Sequence, residues 1–253
     1  MGYKFKVDHE YFEKIDSEYK AYILGLIYAD GSVLQPPGNR QMKLTVGLQE
    51  EDGYILDKLA NEAGGRQVSI SHIPSHKIKN WKRTAKIDIS SNKLCQSLID
   101  LGCSMNKSRL GMTFPKLEEN LIPHFIRGFM DGDGSIIIKP LGYKYKRKTT
   151  YITKNAHVQQ YKLKVAFCSI DKIFLEKIAE YLPIKKFYIA ERKRTQTVYI
   201  LWIENAEDVQ SCLHYLYKYA TCFLKRKRDK FIEFNKTIKS EATDISVERL
   251  ETT

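Results

Sequence analysis

The sequence predicts an α+β chain of two pseudo-symmetric lobes, each built as helix, hairpin, helix, hairpin, helix around an antiparallel sheet. Three observations carry that expectation. Gly25-Leu-Ile-Tyr-Ala-Asp-Gly-Ser-Val33 recurs as Gly128-Phe-Met-Asp-Gly-Asp-Gly-Ser-Ile136, an offset of 103 residues. Lys43-Leu-Thr-Val46, followed by Asp52 and Ile55-Leu-Asp-Lys-Leu-Ala60, recurs as Lys162-Leu-Lys-Val165, Asp171 and Phe174-Leu-Glu-Lys-Ile-Ala179, an offset of 119. Two blocks repeated in the same order point to a duplicated structural unit. The growth of the offset places about sixteen extra residues between Ile136 and Lys162 in the second copy. Finally, the segment after each motif alternates at period two, the mark of a half-buried strand.

Taken in order, residues 19–29 form an apolar helix that Asp30-Gly31 ends, glycine tolerating the left-handed conformation at a helix terminus. Met42, Leu44, Val46 and Leu48 then alternate with Gln41, Lys43, Thr45 and Gln49. In the second copy Tyr161, Leu163, Val165 and Phe167 alternate with Gln160, Lys162, Lys164 and Cys168. Helices are expected at 52–63 and 172–181. Further strands are expected near 66–73, 84–89, 185–191 and 197–203, and helices near 92–101 and 206–219. A short linker around residues 113–120, with Pro115 in it, divides a first lobe of residues 1–114 from a second of residues 115–235. The motif helices occupy about 19–31 and 122–134. Residues 236–253 are polar and aperiodic, which predicts a flexible tail.

The 253 residues are 43% hydrophobic and 28% charged, ordinary for a globular protein, but the net charge is +12. Such an excess points to a polyanionic partner, nucleic acid being the usual one. The longest apolar stretch, residues 21–29, is about half the roughly 20 residues a bilayer needs, and the N-terminus has no signal-peptide core, so no membrane role is expected. Five cysteines (Cys95, Cys103, Cys168, Cys212 and Cys222) form no Cys-x-x-Cys pair and read as reduced core residues of an intracellular reducing compartment.

The chemistry lies in the paired motifs. Gly25 and Ala29, and Gly128 and Gly132, stand four residues apart and share a helix face, where small residues let two backbones approach. If these faces pack together, Asp30 and Asp133 meet at the same end of the seam. Two adjacent carboxylates repel unless they share a proton or a cation. Oxygen ligands of this kind suit Mg²⁺, which accepts one or two carboxylates and keeps most of its waters. A metal so held can activate water and stabilise the leaving oxygen of a phosphodiester.

Ile23-Leu-Gly-Leu-Ile-Tyr-Ala-Asp-Gly31 and Ile126-Arg-Gly-Phe-Met-Asp-Gly-Asp-Gly134 resemble the two namesake motifs of the LAGLIDADG homing endonucleases. Leu94-Cys-Gln-Ser-Leu-Ile-Asp-Leu-Gly102, Asn106-Lys-Ser108, Phe114-Pro115, His124-Phe-Ile-Arg-Gly128, Tyr215-Leu-Tyr217 and Leu224-Lys-Arg-Lys227 extend the likeness over roughly residues 19–234. The resemblance implies αββαββα lobes whose sheets form a saddle over DNA. It makes Asp30 and Asp133 the metal-binding carboxylates, with the carbonyls of Ala29 and Gly132 as further ligands. Mg²⁺ would be the working ion, Mn²⁺ a substitute, and Ca²⁺ an ion that binds without supporting cleavage. Basic residues near the metals, Lys107 in the first lobe and Lys225 or Lys227 in the second, would polarise the scissile phosphate or order water. The sixth motif position, often acidic in the family, is Tyr28 in one copy and Asp131 in the other. It lies off the small-residue face and is assigned no catalytic role.

The DNA-facing strand residues would be Gln41, Lys43, Thr45 and Gln49 in one lobe and Gln160, Lys162 and Lys164 in the other, since β-ribbons fit the major groove. Lys144, Lys146, Arg147 and Lys148 lie in the sixteen-residue insertion, and Arg192, Lys193 and Arg194 form a hairpin tip. Both are expected to clamp phosphates and make binding salt-sensitive. The function so implied is a monomeric, site-specific endonuclease that cuts both strands of a long asymmetric duplex. Two alternatives share the fold: an RNA maturase that assists splicing of its host intron, and a non-catalytic DNA-binding regulator. The host would be an organelle, a phage-infected cell or a prokaryotic cytoplasm.

Overall fold

The computed structural model describes residues 6–38, 40–65, 68–71, 83–140, 161–193 and 195–250, with side chains through residue 237. The first lobe comprises helix α1 (Glu18–Asp30), strands β1 (Gly31–Leu34) and β2 (Lys43–Gln49), helix α2 (Tyr54–Ala63), strands β3 (Ser69–Ile70) and β4 (Thr84–Ser90), and helix α3 (Asn92–Asp100). A short helix α4 (Lys107–Leu110) precedes the linker. The second lobe repeats the order with α5 (Ile122–Asp133), β5 (Ser135–Pro140), β6 (Tyr161–Ser169), α6 (Lys172–Tyr181), β7 (Tyr188–Lys193), β8 (Thr197–Ile203) and α7 (Ala206–Tyr217), and α8 (Lys225–Leu250) closes the chain. The sheets run β1-β2-β4-β3 and β5-β6-β8-β7, antiparallel throughout. Identical strand order in the two lobes is the structural form of the sequence repeat.

Local chemistry sets most boundaries. The side chains of Ser17, Ser91, Asp171 and Asn205 each accept a backbone N–H in the first turn of α1, α3, α6 and α7, satisfying donors that a helix start leaves unpaired. Strand β2 buries Leu44, Val46 and Leu48 and leaves Lys43, Thr45 and Gln49 on the other face, as its alternation predicts. In α1, ten of thirteen residues are buried, which leaves it no polar face, so it lies in the interior seam rather than on the surface.

Three expectations are corrected. Gly31 and Gly134 end their helices in extended conformation, at φ −88° and −89°, not in the left-handed region. Glycine is needed there for space: a Cβ would lie 2.7 Å from the Ile27 carbonyl oxygen, or 2.5 Å from that of Met130. The strand expected at 185–191 begins at Tyr188, because the N–H groups of Lys185 and Lys186 bond the Asp208 carboxylate at 2.8 and 3.1 Å instead of joining a ladder. Third, the chain from Lys236 continues as helix to Leu250. This segment holds no Gly or Pro, the residues least compatible with a helix interior. Among the described residues no helix is long and apolar enough to cross a membrane.

Candidate active site

The site is made by the crossing of α1 and α5. At the crossing, a Cβ added to Gly25 would fall inside contact distance of the Phe125 carbonyl oxygen and 2.9 Å from the Phe129 nitrogen. A Cβ on Gly128 would meet the Tyr22 carbonyl in the same way and stand 2.9 Å from the Leu26 nitrogen. Backbone therefore rests on backbone, reciprocally. One turn further on, a Cβ on Gly132 would collide with that of Ala29 and lie 2.8 Å from Asp30 Oδ2. The small-residue faces thus form the lobe interface, and Asp30 and Asp133 meet at the shared C-terminal end of the two helices.

Both aspartates are open to solvent on one side and walled by protein on the others. Burial, then the neighbouring Asp133 charge, pushes the Asp30 carboxyl up to about 6 against the pull of Lys107, Arg226 and Lys227. Burial also raises Asp133, opposed by Lys107 and Lys227. Each carboxylate additionally sits at the negative end of its helix dipole, where a cation is favoured. Oxygen-only donors, mutual repulsion and two converging helix C-termini are the properties of a hard-cation site. No cluster of three or more His, Cys, Asp or Glu that could hold a metal is present among the described residues. Mg²⁺ needs no more than a carboxylate pair.

A lysine from each lobe reaches the motif ends. Asn106 adopts the left-handed conformation (φ 55°), which its short polar side chain tolerates, and the Lys107 ammonium that follows donates to the Ala29 carbonyl at 2.6 Å. In the second lobe Lys227, 7% exposed, donates to the Met130 carbonyl at 3.2 Å and to that of Gly134. Burial, then Arg226, lowers its ammonium to about 8, against Asp131, Asp30 and Asp133. The alternative, Lys225, points away: its ammonium pairs with Asp229 at 2.7 Å on the surface. Two residues apart on a helix lie about 200° apart around the axis, so only one of the pair can face the seam. The Ala29 carbonyl, assigned to a metal by the sequence, holds the Lys107 ammonium.

Sequence reasoning missed the groups that hold these lysines in place. Asp131, fully buried, accepts from Tyr22 Oη (2.9 Å), Tyr217 Oη (2.6 Å) and the Leu224 N–H (2.6 Å). Leu224 lies three residues before Lys227. At the equivalent position Tyr28 Oη donates to the Leu101 and Thr113 carbonyls, which bracket the Lys107 segment. The sixth motif position anchors the lysine-bearing chain in both lobes, by opposite chemistry. Arg226 bridges Asp52 (3.0 Å) and the Asp131 carbonyl (3.1 Å), and so adds positive charge beside the aspartates. The only sequence signal for this network was polarity inside an apolar helix.

On the open sheet faces, Lys43 and Thr45 are brought together with Lys86 around Asp88. Burial pushes the Asp88 carboxyl up, but the Thr45 hydrogen bond and the two ammoniums outweigh it and hold it low. Gln41 donates to the Ser90 carbonyl at 3.3 Å, and Gln49 ends β2, exposed. Lys162 is exposed on β6, and Lys164 pairs with Glu204. Arg192 shares the open face through its pairing with Val198, whereas Lys193 falls on the opposite one. Lys144, Lys146, Arg147, Lys148, Gln160 and Arg194 lie outside the described residues. All five cysteines are unbridged, and all but Cys168 are buried.

The sequence pattern of the family described as LAGLIDADG endonuclease matches residues 126–238. No curated protein matches the chain in sequence. Among solved structures, the I-LtrWI LAGLIDADG homing endonuclease bound to target DNA is similar, with a TM-score of 0.56 at 15% identity over 92% of each chain. I-SmaMI bound to an uncleaved DNA target in the presence of calcium ions gives 0.57 at 16%, over 91% of this chain and 93% of that one. The LAGLIDADG meganuclease I-AabMI bound to uncleaved DNA gives 0.58 at 16%, over 90% and 92%. These are likenesses of fold, extending across both lobes.

Proposed function

We propose, from a second lobe that matches the LAGLIDADG endonuclease pattern and a fold like that of solved LAGLIDADG endonucleases across both lobes, a monomeric, divalent-metal-dependent endonuclease that cuts both strands of a long asymmetric DNA site. The carrying observation is the pair of solvent-open carboxylates, Asp30 and Asp133, set side by side by a reciprocal glycine contact and flanked by Lys107 and Lys227. Asp30 and Asp133 would hold Mg²⁺, which supplies a water nucleophile of lowered pKa and a Lewis acid for the leaving oxygen.

The residues of the chain do the rest. Lys107 and Lys227 fix the helix ends through their carbonyls and place positive charge on either side of the acidic pair, where a phosphodiester brings negative charge. With its ammonium at about 8, Lys227 is mostly protonated at neutral pH and serves as a donor. Arg226 and Asp52 hold the start of α8 against this assembly. Each lobe lays its open sheet face along one half-site, so the target spans about two helical turns. Differing residues on the two faces make the halves unlike.

The test is cleavage of a randomised duplex library in Mg²⁺, Mn²⁺ and Ca²⁺ by the wild type and by Asp30→Asn/Asp133→Asn. Double-strand cuts at one long motif in Mg²⁺, lost in the variant while binding in Ca²⁺ persists, support the reading. Tight binding without cutting in any metal refutes it, and intron RNA becomes the next ligand to try.

A further inference from the structure

The two open sheet faces differ in kind. Strand register places Ser32, Lys43, Thr45, Thr84, Lys86 and Asp88 on the open face of the first sheet, a mainly polar surface of donors and acceptors with Leu34 at its edge. On the second, the same register aligns Ile137, Val198, Ile200, Trp202, Tyr188 and Ala166. Their neighbours Ile136, Ile138, Ile189 and Tyr199 pack on the core, so the alternation puts the first set on the outer face. The charge among them is already engaged. The Lys164 ammonium pairs with Glu204 and lies 5.1 Å over the Trp202 ring, while Tyr188 Oη donates to the same Glu204 at 2.8 Å. Further basic residues stand at the margins, with Lys139 and Lys162 at one end and Arg192 at the other.

We propose that the second lobe reads its half-site mainly by apolar contact with thymine 5-methyl groups, through Ile137, Val198, Ile200 and Trp202, while the first reads by hydrogen bonds. This rests on the nuclease reading above. The major groove exposes one apolar group, the thymine methyl, and guanine recognition demands a donor; the lysine beside the strip, Lys164, is paired with Glu204, and the other basic residues of the face stand at its ends. A contiguous apolar strip rimmed by Lys and Arg is a surface built to be covered by something apolar within a polyanion. Duplex DNA offers that combination, and the rim charges clamp phosphates while the strip meets bases.

The test uses the full chain and duplexes selected from a random library in Ca²⁺. One half of the selected site should be rich in T·A pairs, and Ile200→Thr should alter the selected sequence in that half alone, which assigns it to the second lobe. Replacing thymine there by deoxyuridine, which removes only the methyl, should weaken binding about fourfold per contacted methyl. The same replacement in the other half should cost less than about twofold. Equal effects in both halves, or none, overturn the inference and leave the nuclease standing. A dimer that Ile200→Thr dissolves overturns it in favour of a second copy of the chain. Failure to select any duplex overturns the nuclease reading itself, and this inference with it. Ile200 lies off the core, and an unchanged Tm for the Thr variant verifies that any loss comes from the surface.

Discussion

Replacing Asp30 by Asn should stabilise the metal-free protein at neutral pH. Folding brings the carboxylate beside Asp133 and raises it to about 6, so the folded chain holds an ionised Asp30 less comfortably than the unfolded one. A shift of about two units corresponds to about 3 kcal/mol between protonation states. Asp30 is open to solvent, and screening leaves about 1–1.5 kcal/mol of that. The sign follows from the direction. With the folded value raised, the stability contributed by the proton is fully present below about pH 4 and is lost as pH rises through about 6. Asparagine keeps the shape without the charge. Calorimetric unfolding in EDTA at low salt should therefore show Asp30→Asn melting about 2–5 °C above wild type at pH 7.5. At pH 4 the two should coincide. Adding Mg²⁺ at pH 7.5 should raise wild type and leave the variant nearly unmoved. A variant equal to or below wild type at pH 7.5 would refute the reasoning, as would a gain that persists at pH 4.

Gly128→Ala should cost about 3 kcal/mol or more, since its methyl meets the Tyr22 carbonyl and neither helix can yield without parting the lobes; a Tm within a degree of wild type would contradict this. Lys107→Met should slow single-turnover cleavage by about a hundredfold or more, and Lys225→Met by less than about twofold, the two being compared at saturating protein. Asp131→Ala strands two tyrosine hydroxyls and the Leu224 N–H inside the core and should cost about 3–5 kcal/mol in urea unfolding. Plotted against pH, cleavage should fall above about 8 as Lys227 loses its proton; a flat profile across that limit would exclude its role as a donor.

The parts legible in the sequence depend on periodicity along one element. Small residues four apart give the helix crossing, and the aspartate that follows each pair gives the carboxylates. The alternation through Leu44, Val46 and Leu48 gives the buried face of β2. Illegible parts depend on what stands across a gap. The sequence carries Lys43 and Lys164 as free base readers, but strand register pairs one with Asp88 and a neighbouring loop pairs the other with Glu204. Lys225 and Lys227 are alike in composition and separate only once the rotation of α8 is known. Asp131 reads as an acid without a role because its partners, Tyr22, Tyr217 and Leu224, come from three distant stretches.

The glycine crossing also bears on how such a protein can change over time. The spacing of the two carboxylates is set by main-chain atoms of Gly25, Phe125, Gly128 and Tyr22, which are the same whatever side chains surround them. The open sheet faces, by contrast, hold residues whose outward side chains touch little of the core. On the proposed nuclease reading, substitutions can therefore accumulate on the surface that would choose the target without disturbing the atoms that would cut it. A lineage can drift to a new site one half at a time and remain an active enzyme at every step.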